Sequence, residues 1–268
     1  MIDNLIIIRG SGDIASGSIH RLVKCGFPVL ALETGRPSSI RRHIAFSEAV
    51  YDGTATVEDV TAELVKNVDE ALACMRRGNP AVMIDPKAEV LSKLQPLAVV
   101  DAILAKRNIG THRDMAPITI ALGPGFSAPE DVDAVIETMR GHDLGRIITN
   151  GSALPNTGVP GIIGGYGIER VNFAPCAGTL RNVRKISDYV EAGETIATIN
   201  DTPVTAQISG IIRGLIRDGF QVTKGFKIAD VDPRKEQKKN CFTISDKARC
   251  IAGSVLEAIL YLRRIKGI

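Results

Sequence analysis

The sequence predicts an α/β protein with a mostly parallel sheet domain first, a small all-β unit after it and a C-terminal helix. Three observations predict this. Short aliphatic runs alternate with helix-spaced segments as far as residue 150. That alternation stops at a stretch rich in Gly, Pro and Asn. From residue 170 to 235 the pattern is one of short strands broken by turns, with no long helix. The expected divisions are therefore a sheet domain over residues 1–150, a linker loop over 151–169, a β-domain over 170–235 and a helical segment over 236–268.

Each element has its own signal. Leu5–Ile8 is a run of four aliphatics, the pattern of a strand buried on both faces. Ile14–Lys24 carries Ile14, Ile19, Leu22 and Val23 near helical spacing. Phe27–Leu32 reads as the second strand, Val68–Met75 as a helix, and Ala81–Ile84 and Leu97–Val100 as strands. Ile118–Leu122 is a strand that runs into Gly123-Pro124-Gly125; Asp131–Met139 then reads as a helix and Arg146–Ile148 as a further strand. Strands joined by helices need crossover connections, hence a parallel sheet covered on both faces. Residues 150–167 are long for a structureless connection. Within the β-domain there is a weak repeat: Asp188–Gly193 is followed by Thr195–Ile199, and Asp218–Gly225 by Phe226–Asp230, which suits a sandwich of two similar halves. Ser245–Ile265 returns to helix, with Ser245 as cap and Ile251, Val255, Leu256, Ile259, Leu260 and Leu262 on its apolar face.

Composition bounds the function. The 268 residues are 44% apolar and 24% charged, as in a globular protein, and the absence of Trp leaves a core of Ile, Val, Leu and Ala. Net charge is +3, and the basic pairs Arg41–Arg42, Arg76–Arg77, Lys238–Lys239 and Arg263–Arg264 are scattered, so no nucleic acid is expected as partner. No apolar run approaches the roughly 18 residues of a membrane span, and Asp3 and Arg9 break the N-terminal run, so no leader and no membrane association are expected. The five cysteines form no C-x-x-C pair, which reads as reduced cytoplasmic thiols and no metal site.

The strongest chemical signal is Gly10-Ser11-Gly12-Asp13-Ile14-Ala15, a G-x-G-x-x-A turn between a strand and a helix. This is the Rossmann-type nucleotide turn: Gly10 makes the tight turn, Gly12 lets a phosphate approach backbone amides, and a small Ala15 lets helix and strand pack closely. The helix start adds unpaired N–H groups and the positive dipole end. Glu33, at the end of the second strand, is the acid expected to accept from ribose hydroxyls. Asp13 would repel a pyrophosphate, and Arg36, Arg41 and Arg42 are the candidates to compensate. The alternatives are a turn that is merely tight and arginines that merely line a solvated face. A second candidate, Gly123, Gly125 and Phe126, follows a strand at the edge where parallel sheets bind ligands, with His142 as a nearby polar group or a structural histidine. No nucleophile–base set, H-E-x-x-H or Walker loop is present, so no catalytic residue is assigned.

Several segments carry a resemblance: residues 9–17, Ser39–Arg42 with Phe46–Val50, Leu122–Phe126, Val135–His142 with Leu144–Arg146, Pro155–Gly158 and Ser245–Arg249. Together they resemble the selenium-dependent molybdenum hydroxylase system protein family (YqeB type), and the block from Gly123 to Arg146 also looks like the Rossmann domain of XdhC-type chaperones. The resemblance implies a cytoplasmic accessory protein that handles molybdenum cofactor (molybdopterin or its dinucleotide) for a client molybdenum hydroxylase or a cofactor-maturation protein. Residues 186–197 and 210–225 are separately similar to the two halves of a biotinyl/lipoyl domain, a barrel-sandwich hybrid. The hairpin that would hold the carrier lysine falls at Asn200–Val204 and has none, so such a scaffold would serve packing, homo-oligomer contacts or docking. Two other readings stay open: an NAD(P)-dependent oxidoreductase, which the same turn and Glu33 would serve, and a structural assembly factor with a vestigial glycine loop.

Overall fold

A computed structural model describes residues 2–158 and 160–268 of the chain. It divides into two compact units: Met1–Pro37, Ala45–Thr157 and Ile244–Ile268 form the first, and Ser38–Ile44 with Gly158–Thr243 form the second. The C-terminal helix therefore belongs with the sheet domain, and a short segment of the expected first domain belongs with the β-domain. Both assignments correct the linear division. Hydrophobic pattern along the chain cannot report which surface a distant segment covers.

The first unit is built on β1 (Ile6–Arg9), α1 (Asp13–Lys24), β2 (Val29–Glu33), α2 (Ala49–Asp52), β3 (Thr54–Val57), β4 (Val60–Val65), α3 (Val68–Arg76), β5 (Ala81–Ile84), β6 (Ala98–Asp101), β7 (Ile118–Leu122), β8 (Ser127–Ala128), β9 (Ala134–Ile136), β10 (Ile147–Ile148), β11 (Gly151–Ser152) and α4 (Asp246–Lys266). Among the described residues nine strands form one sheet in the order β10-β9-β7-β6-β1-β2-β5-β4-β3. The six central strands from β9 to β5 are parallel, β4 continues them, and β3 and β10 are antiparallel edges. The chain runs from β1 to β2, out to the edge pair β3 and β4, back inward to β5, and then crosses to β6 on the other flank of β1. The order thus reverses between β1 and β6, and this is where a crevice opens beyond the carboxyl ends of parallel strands. Ile6, Ile7 and Ile8 are fully buried, which explains their unbroken apolar run and contributes about 1.5–3 kcal/mol each.

α1 follows the expected boundaries, and α3 starts at the Asn67 cap, whose side chain accepts from the Glu70 amide. α4 is capped by Ser245, which accepts from the Ala248 amide at 3.2 Å. α4 lies against α1, β7 and β9. Gly17 is the closest point: a Cβ there would sit 2.9 Å from the Ala248 carbonyl oxygen. No helix among the described residues is long and apolar enough to cross a membrane.

The expected helix over Asp131–Met139 is absent. β9 lies there instead, within a buried run from Val132 to Thr138. A strand buried on both faces loses its period-2 signature, so its apolar residues fall on a helical template by default. Among the described residues no α-helix follows β6 until α4 arrives from the far end of the sequence and covers β7 and β9. The expected linker is also partly ordered: β11 pairs with β8.

The second unit contains β12 (Val171–Phe173), β13 (Gly178–Asn182), β14 (Tyr189–Val190), β15 (Thr195–Ile199), β16 (Thr202–Thr205), β17 (Gly210–Leu215), β18 (Gln221–Val222) and β19 (Lys227–Asp232). They form two antiparallel four-stranded sheets, β12-β19-β17-β14 and β16-β15-β13-β18. The weak repeat is visible in this order. β13, β14 and β15 of one half correspond to β17, β18 and β19 of the other, and each half lends its two-residue strand to the opposite sheet. Gly193 and Gly225, at matching places, both have positive φ. Leu180, Ile196, Ile199, Ile212, Leu215 and Ile228 are fully buried in the shared core. The β15–β16 hairpin turns at Asn200 and Asp201.

Candidate functional site

The turn from β1 to α1 stands at the carboxyl edge of the sheet, beside the reversal of strand order. Gly10 has φ +93°, and a Cβ there would meet the Ala102 carbonyl oxygen at 3.0 Å, so glycine is required both by conformation and by the close approach of the chain leaving β6. Gly12 is the N-cap of α1 with φ −66° and ψ −175°, a conformation open to any residue. No side chain caps the helix there. Gly12 and Asp13 are partly exposed, whereas Ile14 and Ala15 are buried, Ala15 completely. The accessible part of the turn is therefore the Gly12–Asp13 corner.

Ser11 departs from the expected role. It is fully buried, and its polar groups are committed within the protein. Its amide and hydroxyl both donate to Glu33 Oε2, at 2.9 and 2.8 Å. Its carbonyl accepts from the Ser47 amide at 2.9 Å and from the Ser16 hydroxyl at 3.1 Å. Glu33 completes the brace by accepting from the Thr34 amide through Oε1 at 2.8 Å. The acid foreseen as a ribose acceptor holds the glycine turn itself. Charge-assisted bonds to backbone amides are among the strongest a carboxylate makes, and both oxygens are engaged.

The arginines expected to offset Asp13 belong to the second unit. Arg41 is buried and donates to the carbonyls of Asn240 and Thr243 at 3.0 and 3.3 Å; Arg42 donates to the Leu215 carbonyl at 2.8 Å. Both tie Ser38–Ile44 to the β-domain. The second glycine cluster is architectural as well. A Cβ at Gly123 would lie 2.6 Å from the Thr138 hydroxyl, and one at Gly125 would lie 2.6 Å from the Arg107 backbone. Phe126 is buried in a cluster with Ala121, Ala128, Val132, Val135 and Ala153. These residues seal the loop rather than open it. His142 is exposed on the turn after Arg140. The sequence pattern placed these glycines at the correct edge of the sheet, but whether a glycine admits a ligand or another backbone is a tertiary fact.

Two groupings at this edge come together only in the tertiary structure. At the reversal point Arg9 and Asp101 end β1 and β6 and are both buried, with Thr111 between them. Arg9 donates to the Thr111 hydroxyl at 2.5 Å and to the Pro86 carbonyl at 3.2 Å, and the Thr111 hydroxyl donates to Asp101. Burial pushes the Asp101 carboxyl up, against hydrogen bonds from Thr111 and the Ile103 amide and the nearby Arg9 charge. This satisfied network joins β1 to β6. The other grouping surrounds the start of α4, where Arg140 makes a two-point ion pair with Asp246 at 2.8 and 2.9 Å. Glu137, at the exit of β9, accepts from the amides of Met139 and Leu154 at 2.7 Å each. Clefts elsewhere in the unit, lined by residues such as Leu5, Leu91, Lys93 and Gln95 or Asp3, Phe27, Met75 and Asn79, lie at the amino edge of the sheet, away from this turn. Among the described residues no three His, Cys, Asp or Glu side chains gather as a metal site.

The chain is similar to the uncharacterized protein YqeB of Escherichia coli strain K12. The two are 52% identical over 258 residues, which take in 96% of this chain and 48% of YqeB. The chain thus spans about half the length of the curated relative it matches. No family model matches it. Solved structures similar to it include an aspartoacylase family protein from Mesorhizobium loti (14% identity, 86% of this chain and 85% of that one, TM-score 0.30) and the product-bound ectoine utilization protein EutE (DoeB) from Ruegeria pomeroyi (11% identity, 85% of each, TM-score 0.26). Scores this low carry no conclusion about activity.

Proposed function

We propose that the chain is a cytoplasmic accessory protein of a molybdenum hydroxylase system, binding the phosphate-bearing end of a nucleotide-type ligand on its first unit. The observation that carries the reading is the uncapped start of α1 at the Gly12–Asp13 corner, beside the reversal point of a parallel sheet. A helix start of that kind offers amide donors and a positive dipole end to an anion. The residues fit the phosphate end of molybdenum cofactor or its dinucleotide; they do not fit a ribose clamp, because Glu33 is engaged by Ser11 and Thr34. That same engagement weighs against an NAD(P)-dependent oxidoreductase. The second unit, with its exchanged two-residue strands, fits a barrel-sandwich hybrid of the biotinyl/lipoyl kind. Its β15–β16 turn has no lysine to carry a group, so its role in this reading is to dock a client enzyme or a second copy.

The complete internal commitment of Ser11 favours one second reading, an assembly factor whose glycine turn is purely architectural. Metal analysis and mass spectrometry of the natively purified protein, with calorimetric titration of ADP, separate the two. The binding reading expects a co-purifying phosphate-bearing molecule and ADP binding that Gly12→Asp abolishes while leaving the fold intact, since the φ of Gly12 suits any residue. Protein that carries no ligand and ignores ADP would leave the architectural role.

A further inference from the structure

α4 is apolar on both sides. Its inner face, with Ile251, Val255, Ala258, Ile259 and Leu262, is buried. Its outer face carries Leu260, Tyr261 and Ile265, which are 49%, 41% and 55% exposed, and the partly exposed Leu256. Sequence spacing alone puts Leu256 and Leu260 on the inner side; the structure turns them outward. A surface helix ordinarily sets one apolar stripe against a polar opposite face, and an apolar patch left in the open marks a contact surface.

Two charged residues, Glu257 and Arg264, share this outer face, and both are exposed. Among the described residues neither side chain has a hydrogen bond or an ion pair; the Arg264 guanidinium lies 6.0 Å from the centre of the Tyr261 ring. At about 3.6 residues per turn the two charges fall on the middle of the face, with Leu256 and Leu260 to one side and Tyr261 and Ile265 to the other. This arrangement is self-complementary. Two copies of the helix laid antiparallel, with a two-fold axis midway between Leu260 and Tyr261, bring residues equally far from that midpoint to the same level. Leu260 is then level with Tyr261 of the second copy, Leu256 with Ile265, and Glu257 with Arg264. Acid meets base twice, and no like charges oppose each other. In a parallel pair in the same register each charge would face its own kind.

We propose that a second copy of this chain covers the outer face of α4, the two α4 helices lying antiparallel about Leu260 and Tyr261. The two-fold makes the contact isologous, so it closes on a dimer and does not propagate. The paired stretch from Leu256 to Ile265 is about 15 Å long at about 1.5 Å per residue. That is short for a permanent interface, and a dissociation constant in the micromolar range is expected. The inference does not depend on the anion site, and it leaves the second unit to a client.

The test is sedimentation velocity of the full chain from about 5 to 500 μM, a range that brackets a micromolar constant. The wild type is expected to shift from monomer to dimer as concentration rises. Glu257→Arg alone, or Arg264→Glu alone, sets like charges level with each other and is expected to weaken the dimer about tenfold. The double variant Glu257→Arg, Arg264→Glu restores the pairs with their signs exchanged and is expected to dimerise within about threefold of wild type. A wild type that stays monomeric throughout would overturn the proposal and give the face to a different partner. A dimer that neither single reversal weakens would place the contact elsewhere on the molecule. A double variant no stronger than the single ones would show that the charges do not meet, and would overturn the antiparallel pairing.

Discussion

Replacing Glu33 distinguishes a brace from a ligand contact. In the structure Glu33 Oε2 accepts both the amide and the hydroxyl of Ser11, and Oε1 accepts the Thr34 amide. Ser11 has no exposed surface while Glu33 covers it; Glu33 is itself partly exposed, so water replaces the carboxylate only in part when it is removed. In Glu33→Ala the Ser11 amide becomes a poorly satisfied donor, which costs about 1–3 kcal/mol. The Ser11 hydroxyl can rotate and the Thr34 amide is exposed, so together they add about 1 kcal/mol at most. A loss of about 2–3 kcal/mol follows, equivalent to a fall in Tm of about 4–12 °C for a chain of this size. Glu33→Gln keeps one acceptor oxygen for Ser11 and should fall between wild type and Glu33→Ala. Urea denaturation and thermal melts of the ligand-free protein measure this directly. Unchanged ligand-free stability in Glu33→Ala, with weaker binding confined to ribose-bearing compounds, would refute the brace and restore the ribose contact.

Other consequences follow from the same geometry. Gly17→Val places a branched side chain where a Cβ already meets the Ala248 carbonyl at 2.9 Å; urea titration should show a loss of about 2–3 kcal/mol from overpacking, and wild-type stability would mean that α1 and α4 are not in this contact. Ser245→Ala removes the α4 cap and should lower stability by about 1 kcal/mol, read from the same titration. The Asp133 carboxyl, buried against its charged form, is nonetheless held below the usual range by Lys266, the Thr119 amide and Arg113. Its contribution is therefore present above the unfolded value of about 3.9 and is lost as pH falls from there through the folded value. Asp133→Asn should be less stable than wild type at pH 7, and the gap should narrow below about pH 4; a gap that is independent of pH would contradict the ion pairing.

Local signals carried much of the fold. The places of β1, α1, α3, β5 and α4 are written in aliphatic runs, helical spacing and the Ser245 cap. The repeat that pairs β14 and β15 with β18 and β19 is legible because both halves need the same turn glycines. β9 was illegible because burial on both faces erased its alternation, and the mate of α1 was illegible because α4 comes from more than 200 residues away.

The site divides along the same line. That a glycine turn follows the first strand, that its first glycine must turn tightly and that an acid ends the second strand are fixed by residue type and spacing. Where the acid points is not. Glu33 turns inward to the Ser11 amide, Gly125 is closed by the Arg107 backbone, and Arg41 and Arg42 fold into the other unit. Each of these depends on which distant segment fills the neighbouring space, and spacing along a chain carries no information about that.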